Sequence, residues 1–338
     1  MHRKRFVGLM AAAVVAVMGG GTAIAVAAGL TGAGSTLVAP LMAFWQKDFQ
    51  RRTGISVTYG AVGSGAGIQF ISARAVDFGA SDAPLTAAQR GACHGCVEIP
   101  WALTATAVGY HLNGVRGLHL SGPVLAKIYL GQITHWNSGA IKALNKHKNL
   151  PNLKITPVFR SDGSGDTYAF TDFLSKTSSA WSSQKGRGTS VSFGTGVGSK
   201  GNSGVTATVA GTNGAVGYIA ASYLILHGIP AAGLKNAAGN YEYPNLPNIA
   251  NAAASVKRVP SGNELHIVYP SAAYSSAYPL STFTYAIIPK TTSNANNLAR
   301  FVRYAVGTGQ SYGPGLDFAK LPKVVKNAAL KTAKSLRP

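Results

Sequence analysis

Acidic side chains are scarce in this 338-residue sequence: ten Asp and Glu stand against 31 Lys and Arg, for a formal net charge of +21. The basic content is ordinary, so the imbalance comes from missing acids. Charged residues reach only 12%, about half of what soluble domains usually carry, while 46% are hydrophobic, a combination that excludes a disordered chain. Such a charge draws a protein towards anionic surfaces and ligands at low salt. It does not indicate nucleic acid, because the bases are not interleaved with aromatics. The one basic run, Lys320, Lys323, Lys326, Lys331, Lys334 and Arg337, reads as the solvated face of a C-terminal helix.

Other absences exclude chemistries. There is no G-x-S-x-G, the eight His include no H-E-x-x-H pair, and nothing pairs a nucleophile with a base, so a catalytic role finds no support. No metal cluster is visible. Only two cysteines occur, in Cys93-His94-Gly95-Cys96. In an exported chain this pair most simply forms a local disulfide. A redox motif would open a helix after a strand, and two Cys with one His are too few ligands for closed zinc. Gly196-Val197-Gly198-Ser199-Lys200-Gly201 fits the spacing of a dinucleotide-binding turn but reads as a loop, with no strand and helix around it. Trp45, Trp101, Trp136 and Trp181 read as core or interface residues.

Long apolar runs are confined to the N-terminus. His2, Arg3, Lys4 and Arg5 precede an uncharged stretch from Phe6 to Leu30 with Ala25-Val26-Ala27 near its end, which predicts an export signal over residues 1–27. Uncleaved, the same stretch is long enough to anchor the chain in a bilayer. No Cys follows it, so a lipoprotein anchor is excluded, and the expected location is periplasmic, cell-surface or extracellular.

Strand-like and helical patterns alternate along the rest, the signature of α/β architecture. Strands are expected at Ile55–Tyr59, Val76–Ala80, Thr104–Leu112, Ile155–Phe159, Val216–Ile219 and Thr282–Pro289, and irregular structure over 186–204 and 228–264. Three loops place glycines and hydroxyls just before helical patterns: Gly32-Ala33-Gly34-Ser35-Thr36, Gly63-Ser64-Gly65-Ala66-Gly67 and Asp162-Gly163-Ser164-Gly165-Asp166. Helix N-termini offer free N–H groups and partial positive charge, and together three such ends point to a small oxyanion held by neutral dipoles. Asp77, Asp82, Asp162, Asp166 and Asp172 lie in or beside these loops. A carboxylate beside an anion repels it unless the anion has a proton to donate, as hydrogen phosphate does and sulfate does not. Arg160 would supply a full charge, oriented by Asp162.

At Thr31–Pro40, Gly63–Pro84, Phe159–Lys176, Lys200–Ile219 and Tyr278–Lys290 the sequence resembles the phosphate-binding protein of the high-affinity phosphate ABC transporter, with the segments in that family's order. The resemblance implies an α/β fold of two domains with mixed sheets, the type II periplasmic-binding-protein clamshell with a central ligand cleft. Domain 1 would comprise 28–110 plus 278–338, and domain 2 111–277. It implies a monomer without cofactor that captures inorganic phosphate and delivers it to the membrane permease subunits of that transporter. A secreted polyanion-binding or adhesion protein on the same fold is the alternative.

Carried over residue by residue, the phosphate ligands are Thr36, Leu37, Ser64, Asp82, Arg160, Ser164, Gly165 and Asp166, with Asp162 and Thr167 in support. Asp166 departs from the Thr found in the best-known members. Either it caps the helix while Thr167 or backbone binds, or it is a second proton acceptor.

Overall fold

The computed structural model describes residues 29–338; the predicted export signal over residues 1–27 lies outside them. The first block is β1 (Leu30–Gly34), α1 (Ala39–Thr53), β2 (Val57–Ala61), α2 (Ser64–Ser72), β3 (Phe78–Ser81), α3 (Ala87–Ala92) and β4 (Cys96–Tyr110). A middle block follows: β5 (His119–Leu120), α4 (Gly122–Tyr129), α5 (Gly139–Leu144), β6 (Thr156–Arg160), α6 (Gly165–Thr177), α7 (Ser179–Gln184), β7 (Val197–Ser199), α8 (Gly201–Gly211), β8 (Ala215–Ala220), α9 (Ala221–His227), β9 (Gly233–Lys235), β10 (Tyr241–Glu242) and α10 (Leu246–Ala253). The chain closes with β11 (Ser281–Pro289), α11 (Ala295–Ala305) and α12 (Lys323–Lys334).

One sheet runs β2-β1-β3-β11-β4-β8-β6-β7, parallel at each end and antiparallel about its middle. Its organising element is β4. Residues Cys96–Ala105 pair with β11, and Thr106–Tyr110 pair with β8, so a single strand serves both halves of the molecule. From Ile99 to Tyr110 every residue of β4 is buried, as a strand covered on both faces must be. The result is a mixed α/β, two-domain fold of the clamshell type, as expected.

Each half has its own aromatic core. Helix α1 starts with Pro40 in its first turn and buries Leu41, Met42, Trp45 and Phe49, a spacing that keeps one face on the sheet. Trp45 packs edge-on to Trp101 with centroids 5.5 Å apart, and Phe301 completes the cluster. In the other half Tyr129, Phe170, Phe193 and Tyr218 pack together. All four Trp are fully buried, which bears out their reading as core.

The expected strands all form, with ends displaced by a few residues, most at β4, which begins eight residues before Thr104. Three readings are corrected. Gly32, Ala33 and Gly34, which read as part of a loop because they are small and glycine-rich, end the strand β1, fixed by pairing with β2 and β3 on both sides. The stretches 186–204 and 228–264 are not wholly irregular, for they hold β7, the start of α8, β9, β10 and α10. α10 is fixed by Pro247 in its first turn and by Asn245, whose side chain accepts from the Asn248 N–H at 3.0 Å. The Gly196–Gly201 turn does sit between a strand and a helix, β7 and α8, because β7 pairs with β6 over only three residues that carry no hydrophobic pattern. Cys93 and Cys96 form the expected disulfide, at the entry to β4.

Candidate anion-binding site

The C-terminal ends of β1, β3 and β6 converge where the two halves face each other, and each is followed by a helix. β1 delivers Ser35, Thr36 and Leu37. Gly34 permits this turn with φ 144°, its Cα lying against the backbone of Ala80, where no side chain fits. Ser64 is the first residue of α2, and Asp82 follows β3 directly. From the opposite half, β6 ends in Arg160 and α6 opens at Gly165, while α8 contributes Gly201 and Asn202. Ser35, Thr36, Ser64, Asp82, Arg160, Ser164, Asp166 and Asn202 are all buried.

Arg160 is held by two carboxylates. Its Nε and Nη2 donate to the two carboxylate oxygens of Asp162 at 2.7 and 2.6 Å, a bidentate pair, and Nη1 donates to Asp166 Oδ2 at 2.9 Å. Asp166 also accepts from Thr106 Oγ1 and from Asn202 Nδ2, both at 2.7 Å. Asp82 has only hydroxyl donors: Ser35 Oγ at 2.6 and 2.7 Å and Ser64 Oγ at 3.3 Å.

The halves meet through polar contacts at the same place. Gly165 N–H donates to Ser64 Oγ at 3.1 Å, Gly65 N–H to the Gly163 carbonyl at 2.9 Å, and Asn202 Nδ2 to Thr36 Oγ1 at 2.9 Å. A Cβ on Gly165 would lie 2.5 Å from Asp82 Cβ and 2.8 Å from the Asp82 backbone, so glycine is required for this approach. Gly165→Ala is therefore expected to keep the fold but hold the halves apart, lowering anion affinity at least tenfold. Calorimetric titration checks this, and an unchanged affinity would mean that the approach is not needed for binding.

Burial pushes the Asp82 carboxyl up, and the neighbouring Asp166 charge pushes it further. Asp166 is also raised by burial, opposed by Arg160, Thr106 and Asn202. Asp162 is half-buried, which raises it, yet the hydrogen bonds and charge of Arg160 bring it below the usual carboxylate range. The Arg160 guanidinium stays charged: burial disfavours it, and Asp162 and Asp166 more than offset that. Three carboxylates thus surround one guanidinium in a buried cleft ringed by helix N-termini. A fully deprotonated oxyanion would meet repulsion from Asp82 and Asp166 wherever these are ionised. One carrying protons donates to the same oxygens and takes N–H and hydroxyl bonds in return.

Every predicted ligand, Thr36, Leu37, Ser64, Asp82, Arg160, Ser164, Gly165 and Asp166, lies in this cluster. Of the two readings open for Asp166, the capping one fails, and Thr167 takes another partner. Asp166 does not cap α6: the cap is Ser164, whose Oγ accepts from Thr167 N–H at 3.3 Å, and Asp166 sits one turn position inside the helix, fully buried. Thr167 turns away to Tyr218, with oxygens 2.8 Å apart. Asp77 and Asp172 leave the cluster. Asp77 ties Thr31 to Asn294, and Asp172 pairs with Lys176 and Arg187. Ser35, Thr106, Asn202 and Tyr218 were not foreseen as site residues. Asn202 stands in a segment that resembles the family, but its stretch reads as irregular; Thr106 looks like any strand residue.

A mixed α/β clamshell with an oxyanion cradle between its halves defines the substrate-binding proteins of the PBP superfamily, and the profile of the PBP superfamily domain matches residues 21–308. Within that class, the chain belongs to the family of the phosphate-binding protein PstS. It is 35% identical over 298 residues to the phosphate-binding protein PstS of Xylella fastidiosa, covering 87% of this chain and 81% of the relative. It is 34% identical over 297 residues to the phosphate-binding protein PstS 3 of Mycobacterium tuberculosis, covering 83% and 80%. In fold it is similar to a human phosphate binding apolipoprotein, with a TM-score of 0.70 at 22% identity, covering 88% of this chain and 93% of that one.

Proposed function

We propose that this protein captures inorganic phosphate outside the cytoplasm and delivers it to the permease of a phosphate ABC transporter, without transforming it. The observation that carries this reading is the Asp82–Arg160–Asp166 arrangement, a buried anion cradle whose carboxylates demand a protonated anion. The partners that relatives are named for supply the rest. The reading places Asp82 and Asp166 as two proton acceptors, with Arg160, the hydroxyls of Thr36, Ser64 and Ser164, and the N–H groups of Leu37 and Gly165 around the remaining oxygens.

Domain 1 would comprise 28–110 with 278–338 and domain 2 111–277, with β4 as one connection between them. Closure about these connections would present one shape to the permease when phosphate is bound, a hinge-type population shift.

Calorimetry with phosphate, arsenate and sulfate tests the assignment. Phosphate is expected to bind with micromolar or better affinity, on the order of −8 kcal/mol, arsenate comparably because it carries the same protons, and sulfate far more weakly. Equal affinity for phosphate and sulfate would defeat the acceptor role of Asp82.

A further inference from the structure

The bases that look scattered in the sequence collect at one end of the fold. β1 enters from that end at Leu30 and reaches the cleft at Ser35, so the end lies opposite the phosphate site. Arg51 and Arg52 close α1 there, Arg74 precedes β3, and Lys290 follows β11. The C-terminal residues fold back to the same place: Arg337 N–H donates to the Lys290 carbonyl at 2.8 Å, and Thr292 N–H donates to the Arg337 carbonyl at 2.9 Å. This brings up Lys331 and Lys334 from the last turn of α12. All these bases are exposed, as is Arg300 on the adjacent α11.

The acids near this end are already engaged: Glu98 and Glu264, which lie towards it, both pair with Arg90. Asp48 is buried against Arg51, Arg52 and Tyr304, and Asp77 holds Thr31 and Asn294. Among the described residues Lys290, Arg300, Lys331, Lys334 and Arg337 have no carboxylate partner within 4.0 Å. Gly29, the first described residue, lies beside Ser56, just past the end of α1.

We infer that this basic end docks on an anionic phospholipid surface, a holding position that the protein leaves when its cleft engages the permease. Were the segment before Gly29 retained, its bases and uncharged run would hold the chain to the membrane at this same end. A polybasic patch beside a chain entry point is the arrangement that binds acidic headgroups, each base adding modestly and salt weakening the sum.

Flotation of the full chain with vesicles of phosphatidylglycerol and phosphatidylethanolamine, against pure phosphatidylcholine, tests the inference. The ratio of bound protein is expected to exceed thirtyfold in dilute salt and to collapse in 0.5 M NaCl. The variant Lys290→Gln, Arg300→Gln, Lys331→Gln, Lys334→Gln should lose at least thirtyfold of it. Lys127→Gln, Lys142→Gln, Lys146→Gln, Lys257→Gln, which removes the same charge from the other half, should change it less than threefold. None of these positions touches the cradle, so phosphate affinity should be unchanged in both, separating this inference from the phosphate assignment. A ratio near one, or equal losses in the two variants, overturns the docking face.

Discussion

Replacing Arg160 by methionine is expected to lower phosphate affinity about a thousandfold, or about 4 kcal/mol, because it strips the only positive charge from a buried cluster of three carboxylates. Asp162 would lose its bidentate partner and Asp166 its ion pair, and both would then repel the incoming anion. Arg160→Lys should recover part of this: the charge returns, but one ammonium cannot serve Asp162 through two parallel bonds and also reach Asp166 and the ligand. A loss of about 1.5 to 3 kcal/mol relative to the native protein is expected for Lys. Titration calorimetry on the pair reads the difference directly. An unchanged dissociation constant in either variant would remove Arg160 from the site.

Asp166→Thr should have the second largest effect, on the pH profile. The sign follows from proton counting. Burial raises Asp82 and Asp166, and the charge of Asp166 raises Asp82 further; an anion brought beside both raises them again, so binding draws in protons over the range where they are still ionised. Binding that takes up protons strengthens as pH falls. Native affinity should therefore rise from pH 8 to pH 5. Removing the Asp166 carboxyl takes away one acceptor and relaxes Asp82 downward, so the profile should flatten and the relative affinity at pH 8 increase. Superimposable profiles for native protein and variant would sink the second-acceptor role, leaving Asp166 as an internal counter-charge to Arg160.

How far the sequence carried this account varies with the physics of each element. The strands of the sheet were legible because buried strands read as β-branched and aromatic runs, and α1 because Leu41, Met42, Trp45 and Phe49 mark a face. The ligand loops were legible because glycine and hydroxyl clusters ahead of a helix have a definite electrostatic use. β1 and β7 were not, since their identity comes from neighbours in the sheet rather than from their own residues. The role of Asp166 was ambiguous for a similar reason. Capping and binding need the same residue type at nearly the same position, and only the Ser164 side chain on Thr167 N–H decides between them. Thr106 could not be found at all, because nothing in a hydrophobic strand marks the one hydroxyl that crosses to a partner 60 residues away.

The proposed selection of an anion by its protons rests on the buried cradle of Asp82 and Asp166 around Arg160. Calorimetric titration of phosphate at pH 8, repeated in two buffers of different ionisation enthalpy, counts the protons exchanged on binding. A net uptake, reduced in Asp166→Thr, is the predicted result; no exchange, or a release of protons, would contradict it.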